Sequence, residues 1–349
     1  MDEFWSEDML GPGFRARTLP VGSDDEGPRV ATLVAYEPDG AAASAGPREV
    51  PGRLRAILYV HGFSDYFLHR ELAGSLHARG WAFFALDLHK HGRSLLPGQT
   101  PGFTTSLDEY DEDLDAAIAA IEERLDVAPG SGAVDLVLMA HSTGGLTCAL
   151  WAARNHERIA ALILDSPWLD TLGSALLRSA AHGILDTVSR RRPKARLRLP
   201  EFGFYFRSIS DTRDGEWTID PAWRPEAGFP IRAGWLAAVL AGHAALARGV
   251  SIDVPVLVLC SAASTLSTTW NDAMLETDSV LDVTAMVRRA AELGPDVTIR
   301  RFAGALHDVF LSRRDVRTHA VDVVAHWLEA NGVRAPGDRQ GARHGSSRA

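Results

Sequence analysis

The sequence predicts an α/β fold, a mostly parallel central sheet flanked by helices. Short β-branched runs alternate with amphipathic helical runs along most of the chain, which is the pattern of a parallel sheet with helical crossovers. Hydrophobic residues make up 46% of the 349 residues, enough apolar material to cover both faces of such a sheet. We therefore expect one large α/β domain.

Each element follows from a local pattern. Short, near-continuous apolar runs bounded by turn residues predict buried strands, and longer runs with apolar residues every three or four positions predict helices. Ser106 is a suitable N-cap for helix 107–126, since Asp108 and Glu109 then lie at the positive helix start. The predicted strands are 15–20, 30–36, 56–60, 81–86, 134–139, 160–164, 254–259 and 297–302, and the predicted helices are 66–79, 107–126, 144–155, 280–293 and 315–330.

The alternation is interrupted once. Residues 167–250 are rich in Trp, Phe, Arg and Pro and contain short helical patterns, so they predict a helical cap inserted at the carboxyl edge of the sheet, where such sheets bind ligands. The predicted core comprises residues 1–166 and 251–332. Residues 41–52 are expected to form a loop, and the Gly/Arg/Ser-rich residues 333–349 a disordered tail.

Charge and cysteine content exclude several functions. The net charge of -9 argues against sequence-independent nucleic-acid binding, which requires a positive surface. The two cysteines, Cys148 and Cys260, lie in apolar stretches, predicting buried free thiols and no metal site. No stretch of the sequence approaches the ~18 consecutive apolar residues of a membrane span. Residues 1–10 lack the basic start and the apolar core of a targeting segment. We expect a cytoplasmic protein without stable membrane insertion.

The segment 138–145, Leu-Met-Ala-His-Ser-Thr-Gly-Gly, carries the strongest chemical signal. A strand that runs directly into a helix needs a sharp turn at its central residue, Ser142, and small residues two positions away on either side. Ala140 and Gly144 occupy those positions. The turn exposes the Ser142 hydroxyl above the sheet, which predicts a nucleophile; a simple helix cap is the competing interpretation.

A serine nucleophile requires a base and an acid, which follow it in the chain order Ser, acid, His. Among the later histidines, only His307 lies in a loop just after a late strand, so we predict it as the base. Three carboxylates are candidates for the acid. Asp278 precedes the predicted helix and fits best, Asp282 would lie one turn inside that helix, and Asp165 at the end of strand 160–164 is an alternative.

Two backbone amides are expected to form an oxyanion hole. The Thr143 N–H lies at the start of the helix after the nucleophile, and the Phe63 N–H lies in the loop after strand 56–60. Gly62 in that loop allows close approach of a substrate. His61 is expected to form structural hydrogen bonds rather than to act as a second base.

These motifs resemble the monoacylglycerol lipase and lysophospholipase-like branch of the α/β-hydrolase family, which is grouped with the serine aminopeptidase S33 proteins. The resemblance rests on Tyr59–Phe63, Leu86–Ser94, Ala140–Gly145, Asp278–Val280 and Gly304–Asp308. It implies an α/β-hydrolase fold and a Ser-His-Asp triad, with no cofactor. The sequence departs from the family at Ala140, in place of glycine, at His89-Lys90, in place of Arg-Gly, and in the long stretch 260–277 before the acid.

The implied activity is hydrolysis of a small-molecule carboxylic ester, such as a monoacylglycerol or lysophospholipid. A peptidase, thioesterase or acyltransferase would use the same triad, and a non-catalytic receptor or ligand-binding protein can be built on the same fold. The basic run 190–198 could attract an anionic headgroup, giving weak membrane-surface contact, or could be solvated. The cap aromatics could line an acyl pocket or form the core of the cap. Self-association into a homo-oligomer stays open.

Overall fold

The computed structural model describes residues 4–38, 53–170, 185, 187–198 and 202–333. The predicted loop 41–52, the predicted tail apart from residue 333, and parts of segment 167–250 lie outside the described residues. The strands are β1 (Ser6–Glu7), β2 (Phe14–Asp24), β3 (Gly27–Tyr36), β4 (Leu54–Val60), β5 (Ala82–Asp87), β6 (Val134–His141), β7 (Ala161–Asp165), β8 (Val256–Ser261) and β9 (Val297–Phe302). The helices are α1 (Arg70–His77), α2 (Asp111–Arg124), α3 (Ser142–Asn155), α4 (Phe204–Ile209), α5 (Ala233–Ala247), α6 (Val283–Ala290) and α7 (Arg314–Ala330).

Within these described residues the nine strands form one sheet in the order β1-β2-β3-β5-β4-β6-β7-β8-β9. The pairings from β5 through β9 are parallel, and those among β1, β2, β3 and β5 are antiparallel. Apolar side chains of α2 and α3 cover one face and those of α1 and α7 cover the other, while α5 packs against α3. The predicted α/β architecture, with a mostly parallel sheet between helices, is confirmed.

The carboxyl ends of the parallel strands place the loops that matter most. Strand β6 ends immediately before Ser142, β7 ends at Asp165, and β4 ends just before the loop that contains Phe63. Parallel neighbours end at the same edge of a sheet, so these loops meet there. Both cysteines are buried and unpaired, as predicted.

Several boundaries differ from the prediction. Helix α1 begins at Arg70, and the predicted segment 66–69 is extended loop. The Phe67 N–H donates to Asp87 Oδ1 at 2.8 Å, so a tertiary hydrogen bond holds this segment out of the helix. The Ser106 cap is confirmed, but the first turn, Leu107–Tyr110, is a 3₁₀ helix. Strands β2 and β3 are longer than predicted. The short strand β1, which pairs with β2, was not predicted.

The unusual Lys90 has a structural explanation. Its backbone φ of 61° is left-handed, a conformation that favours glycine, which is the residue the related motif has here. Its side chain is buried, and the ammonium lies 2.6 Å from Asp24 Oδ2 and 2.8 Å from Glu26 Oε2. These two ion pairs hold the loop that follows β5 to the turn between β2 and β3, and they offset the backbone strain at Lys90.

The chain leaves the sheet between β7 and β8, and the described part of this stretch contains α4 and α5. Several hydrogen bonds join residues 217–229 to the core. Among them, Trp217 Nε1 donates to the Leu311 carbonyl at 2.8 Å, the Asp220 N–H to Tyr66 Oη at 2.9 Å, and the Phe229 N–H to Ser64 Oγ at 2.8 Å. The domain boundaries at 166 and 251 stay a prediction.

Candidate active site

The turn between β6 and α3 has the strain that its sequence predicts. Ser142 has a φ of 52°, a left-handed value that costs a non-glycine residue free energy. A Cβ on Gly144 would overlap the His61 carbonyl oxygen, and a Cβ on Gly62 would lie 3.0 Å from the Ser142 Cβ. Glycine at these two positions therefore lets the β4 loop lie directly against the strained serine.

Ser142, His307 and Asp278 form a continuous hydrogen-bonded chain. Ser142 Oγ lies 3.0 Å from His307 Nε2, and His307 Nδ1 lies 2.9 Å from Asp278 Oδ2. The Asp278 carboxylate can only accept hydrogen bonds, so His307 Nδ1–H donates to it. The other ring nitrogen, Nε2, then accepts from the Ser142 hydroxyl. The His307 and Asp278 side chains are 2% and 0% exposed, which shields this chain from bulk water.

The loop after β8 delivers the carboxylate. Asp278 N–H donates to the Ala263 carbonyl at 3.0 Å and its own carbonyl accepts from Thr265 N–H at 2.9 Å, so the end of the long stretch returns to its beginning and forms a parallel bridge between Ser264 and Asp278. The second carboxylate oxygen, Oδ1, accepts from the Val280 and Leu281 amides, each at 2.8 Å. The carboxylate orientation is thus fixed by the backbone.

The structure separates the three acid candidates. Asp282 accepts from the Thr284 and Ala285 amides and is the N-cap of α6. The prediction that Asp282 lies one turn inside this helix is therefore wrong. Asp165 lies at the end of β7 with its oxygens 3.2 and 3.3 Å from the Val309 N–H. Among the described residues, only Asp278 bonds to His307 Nδ1.

The predicted oxyanion donors belong to residues next to Ser142 or next to a residue that contacts it. Thr143 is the second residue of α3, where backbone N–H groups lack an intrahelical acceptor, and Phe63 follows the glycine that contacts Ser142. Neither N–H donates to another of the described residues. The ring of His61 has the predicted structural role, since Nε2 accepts from the Leu88 N–H at 3.0 Å and Nδ1 bonds to the Gly62 carbonyl at 2.7 Å.

Aromatic side chains pack together close to the nucleophile and its base. Phe63 stacks on Trp235 with ring centroids 3.8 Å apart, and Trp168 lies 6.1 Å from Trp235. The backbone N–H of Trp168 donates to the Ser142 carbonyl at 3.0 Å, which connects this aromatic group to the nucleophile residue. The rings of Tyr205 and His307 are nearly perpendicular, with their centroids 5.2 Å apart. The predicted cap aromatics therefore divide, with Trp235 beside the site and others packed against Tyr66 and Leu306.

A second buried charged cluster includes His141, the residue before the serine, and no local pattern in the sequence predicts it. Arg224, from the segment between α4 and α5, forms a 2.8 Å ion pair with Asp65. Asp65, His141 and Asp308 have ligand atoms within 4.8 Å of one another, a spacing that could hold a metal ion. Arg224 and His69, which bonds to Asp308 at 2.8 Å, already provide positive charge or donors to these carboxylates.

Removing the Arg224 cation should destabilise the fold in a pH-dependent way. Burial raises the pKa of Asp65, but Arg224 and His141 outweigh it and lower the pKa to about 2. The stabilisation from this pair is therefore complete above the unfolded pKa of about 3.9 and is lost as the pH falls toward 2. At pH 7 we expect Arg224→Met to lower the free energy of unfolding by about 3–5 kcal/mol, because the buried carboxylate loses its partner.

Denaturant unfolding of wild type and Arg224→Met at pH 7 and pH 4 measures this effect. The difference between the two proteins should shrink at pH 4. Without the Arg224 cation, burial raises the pKa of Asp65 in the variant, so at pH 4 the variant binds a proton there and no longer buries an unpaired charge. Arg213→Met is the matched control, since Arg213 forms an exposed ion pair with Glu226 and its loss should leave stability nearly unchanged at both pH values. A pH-independent difference for Arg224→Met would contradict this account of the pair.

Residues 53–314 match the family described as serine aminopeptidase, S33. Because the match spans most of the chain, the protein belongs to this family, and its predicted class, an α/β-hydrolase, is confirmed. No curated protein matches the sequence. No helix of the described residues is long and apolar enough to cross a membrane.

Solved structures show the same fold. The monoacylglycerol lipase of Paleococcus ferrophilus is 22% identical, with a TM-score of 0.57 over 79% of this chain and 94% of that one. A soluble variant of the Saccharomyces cerevisiae monoglyceride lipase is 15% identical, with a TM-score of 0.55 over 90% and 96% of the two chains. A thermostable carboxyl esterase from Bacillus coagulans is 15% identical, with a TM-score of 0.60 over 93% and 99%. At these identities the likeness concerns the fold.

Proposed function

We propose that this hydrolase cleaves a carboxylic ester with an apolar acyl group, with Ser142 as nucleophile, His307 as general base and Asp278 as the acid of the triad. The observation that carries the proposal is the unbroken chain of hydrogen bonds from Ser142 Oγ through His307 to Asp278. The fold neighbours whose descriptions name lipases and an esterase support an ester substrate.

Each group has a defined role in the proposed reaction. His307 Nε2 takes the Ser142 proton as Oγ forms a bond to the ester carbonyl carbon, and the carbonyl oxygen becomes an anion that the Phe63 and Thr143 amides stabilise. When the tetrahedral intermediate collapses, the C–O bond breaks and His307 returns the proton to the leaving alcohol. Asp278 stabilises the imidazolium between these two transfers. A water, deprotonated by His307, then releases the acid from the acyl-enzyme.

The walls of the site favour an ester over a peptide with a free amino terminus. An aminopeptidase needs an anionic group to bind the substrate ammonium, whereas Phe63, Trp168 and Trp235 present apolar rings near the nucleophile. Asp65, a nearby described carboxylate outside the triad, is already paired with Arg224. A large apolar surface suits an acyl chain or an aromatic acid. Cytoplasmic location, membrane contact by the cap, and self-association stay predictions.

A hydrolysis screen tests the substrate class. It compares p-nitrophenyl esters of short and long acids, monoacylglycerols and lysophospholipids with aminoacyl p-nitroanilides under the same conditions. We expect ester turnover to exceed anilide turnover, and Trp235→Ala to raise KM for the preferred acyl group. Faster cleavage of the anilides by folded protein would support the peptidase alternative instead.

A further inference from the structure

Two buried carboxyl groups lie together beneath the loop that carries His307, and the mechanism above uses neither. Asp165 ends β7, and Asp308 directly follows His307 in the chain. Both side chains are 0% exposed, and the two carboxyl groups lie within hydrogen-bonding reach of each other. Two carboxylates in contact in a dry site cannot both be ionised, so the pair holds a proton.

The hydrogen-bond donors are distributed unequally between the two groups. Asp308 Oδ2 lies 2.8 Å from His69 Nε2, and its Oδ1 accepts from the Phe310 amide at 2.9 Å and the Leu311 amide at 3.2 Å. Asp165 accepts two long hydrogen bonds from the single Val309 N–H, and its other donor is the hydroxyl of the neighbouring Ser166. Donors stabilise the charged form of a carboxyl group, so the negative charge belongs on Asp308 and the proton on Asp165.

The electrostatics agree with this placement. Burial, together with the neighbouring Asp308, raises the pKa of Asp165 well above its usual value. Burial opposes ionisation of Asp308 as well, but His69 and His141 stabilise its anion and hold its pKa far below the usual value. Asp65 and Arg224 form the next charged pair in the same cluster.

The position of Asp308 gives this pair a function. Its carboxylate is the N-cap of the 3₁₀ turn Val309–Leu311, and a shift of that turn would move the adjacent His307. We propose that Asp165 is a neutral carboxylic acid that donates a hydrogen bond to the Asp308 carboxylate, and that it is thereby a positioning residue for His307. The inference rests on the proposed function, since His307 is the base of that reaction.

Two substitutions distinguish this role from that of a triad acid. Asn at position 165 is neutral, can donate to Asp308 through its amide nitrogen and can accept from Val309 N–H, so Asp165→Asn should keep kcat, KM and the pH profile of kcat close to wild type. Asp165→Leu removes the donor; we expect kcat to fall about 100-fold with little change in KM, because His307 is misplaced. An ionised triad acid at 165 would instead lose about 10⁴-fold activity on amidation.

Infrared spectroscopy reads the proton without any substrate. The wild-type protein at pH 7 should show a carbonyl stretching band of a protonated carboxylic acid that is absent from Asp165→Asn. This measurement decides the protonation state even if Asp165→Leu does not fold. A missing band, a folded but inactive Asp165→Asn, or an Asp165→Leu variant with wild-type kcat would each overturn the inference. A wild-type protein that cleaves no ester would overturn the proposed function instead, and the infrared band would still report on Asp165.

Discussion

Ser142→Ala is expected to lower kcat for ester hydrolysis by about 10⁶-fold, because it removes the hydroxyl that we propose forms the acyl-enzyme. The substitution removes one atom from the turn and leaves Gly62 and Gly144 in place, so the fold should persist. Steady-state kinetics on the best ester of the screen, with circular dichroism on the same samples, measures both effects. Ser267→Ala, at an exposed position, is the control and should keep full activity.

Retention of more than a small fraction of kcat by folded Ser142→Ala would remove the serine from the reaction. In that case another nucleophile would have to lie within reach of His307 Nε2, and the 3.0 Å contact with Ser142 would be only structural. The Ser267→Ala control excludes a general effect of serine replacement on expression or purity.

Asp278→Asn is expected to lower kcat by about 10³–10⁴-fold, through the tautomer of His307. The Val280 and Leu281 amides bind the Oδ1 position, so the amide oxygen takes that site and the NH₂ group faces His307. His307 Nδ1 must then accept, which places the ring proton on Nε2, where it cannot receive the proton of Ser142. Kinetics of the variant, at pH values from 6 to 9, measures the loss.

Asp282→Asn is the matched control for this substitution. Asn caps a helix about as well as Asp does, and Asp282 contacts only the first turn of α6, so activity and stability should both be close to wild type. A larger loss from Asp282→Asn than from Asp278→Asn would show that the acid has been assigned to the wrong carboxylate.

The sequence was sufficient for features that depend on neighbouring residues. The turn at Ser142 follows from a strand, a helix and small flanking residues within one short segment, and His307 follows from its position after a late strand. The choice among Asp278, Asp282 and Asp165 required three dimensions, since all three are acids at ends of elements. Only the fold of the β8 loop shows which one reaches His307 Nδ1.

The buried cluster could not have been found in the same way. Arg224 and Asp65 are 159 residues apart, and the Asp165 oxygens meet the Val309 amide across 144 residues. Periodicity and local motifs contain no information about such pairings. The predicted start of α1 was wrong for the same reason. The hydrogen bond from the Phe67 N–H to Asp87 competes with helix formation, and it forms only when β5 is in place.

The most direct test of the account is the site of reaction with a fluorophosphonate, which a serine attacks as it would attack an ester, with loss of fluoride. Intact mass spectrometry and peptide mapping of the labelled wild-type protein should show a single adduct on Ser142, formed far more slowly in His307→Ala. Folded protein that takes no label, or that takes it on a residue other than Ser142, would contradict the assignment of Ser142 as an activated nucleophile.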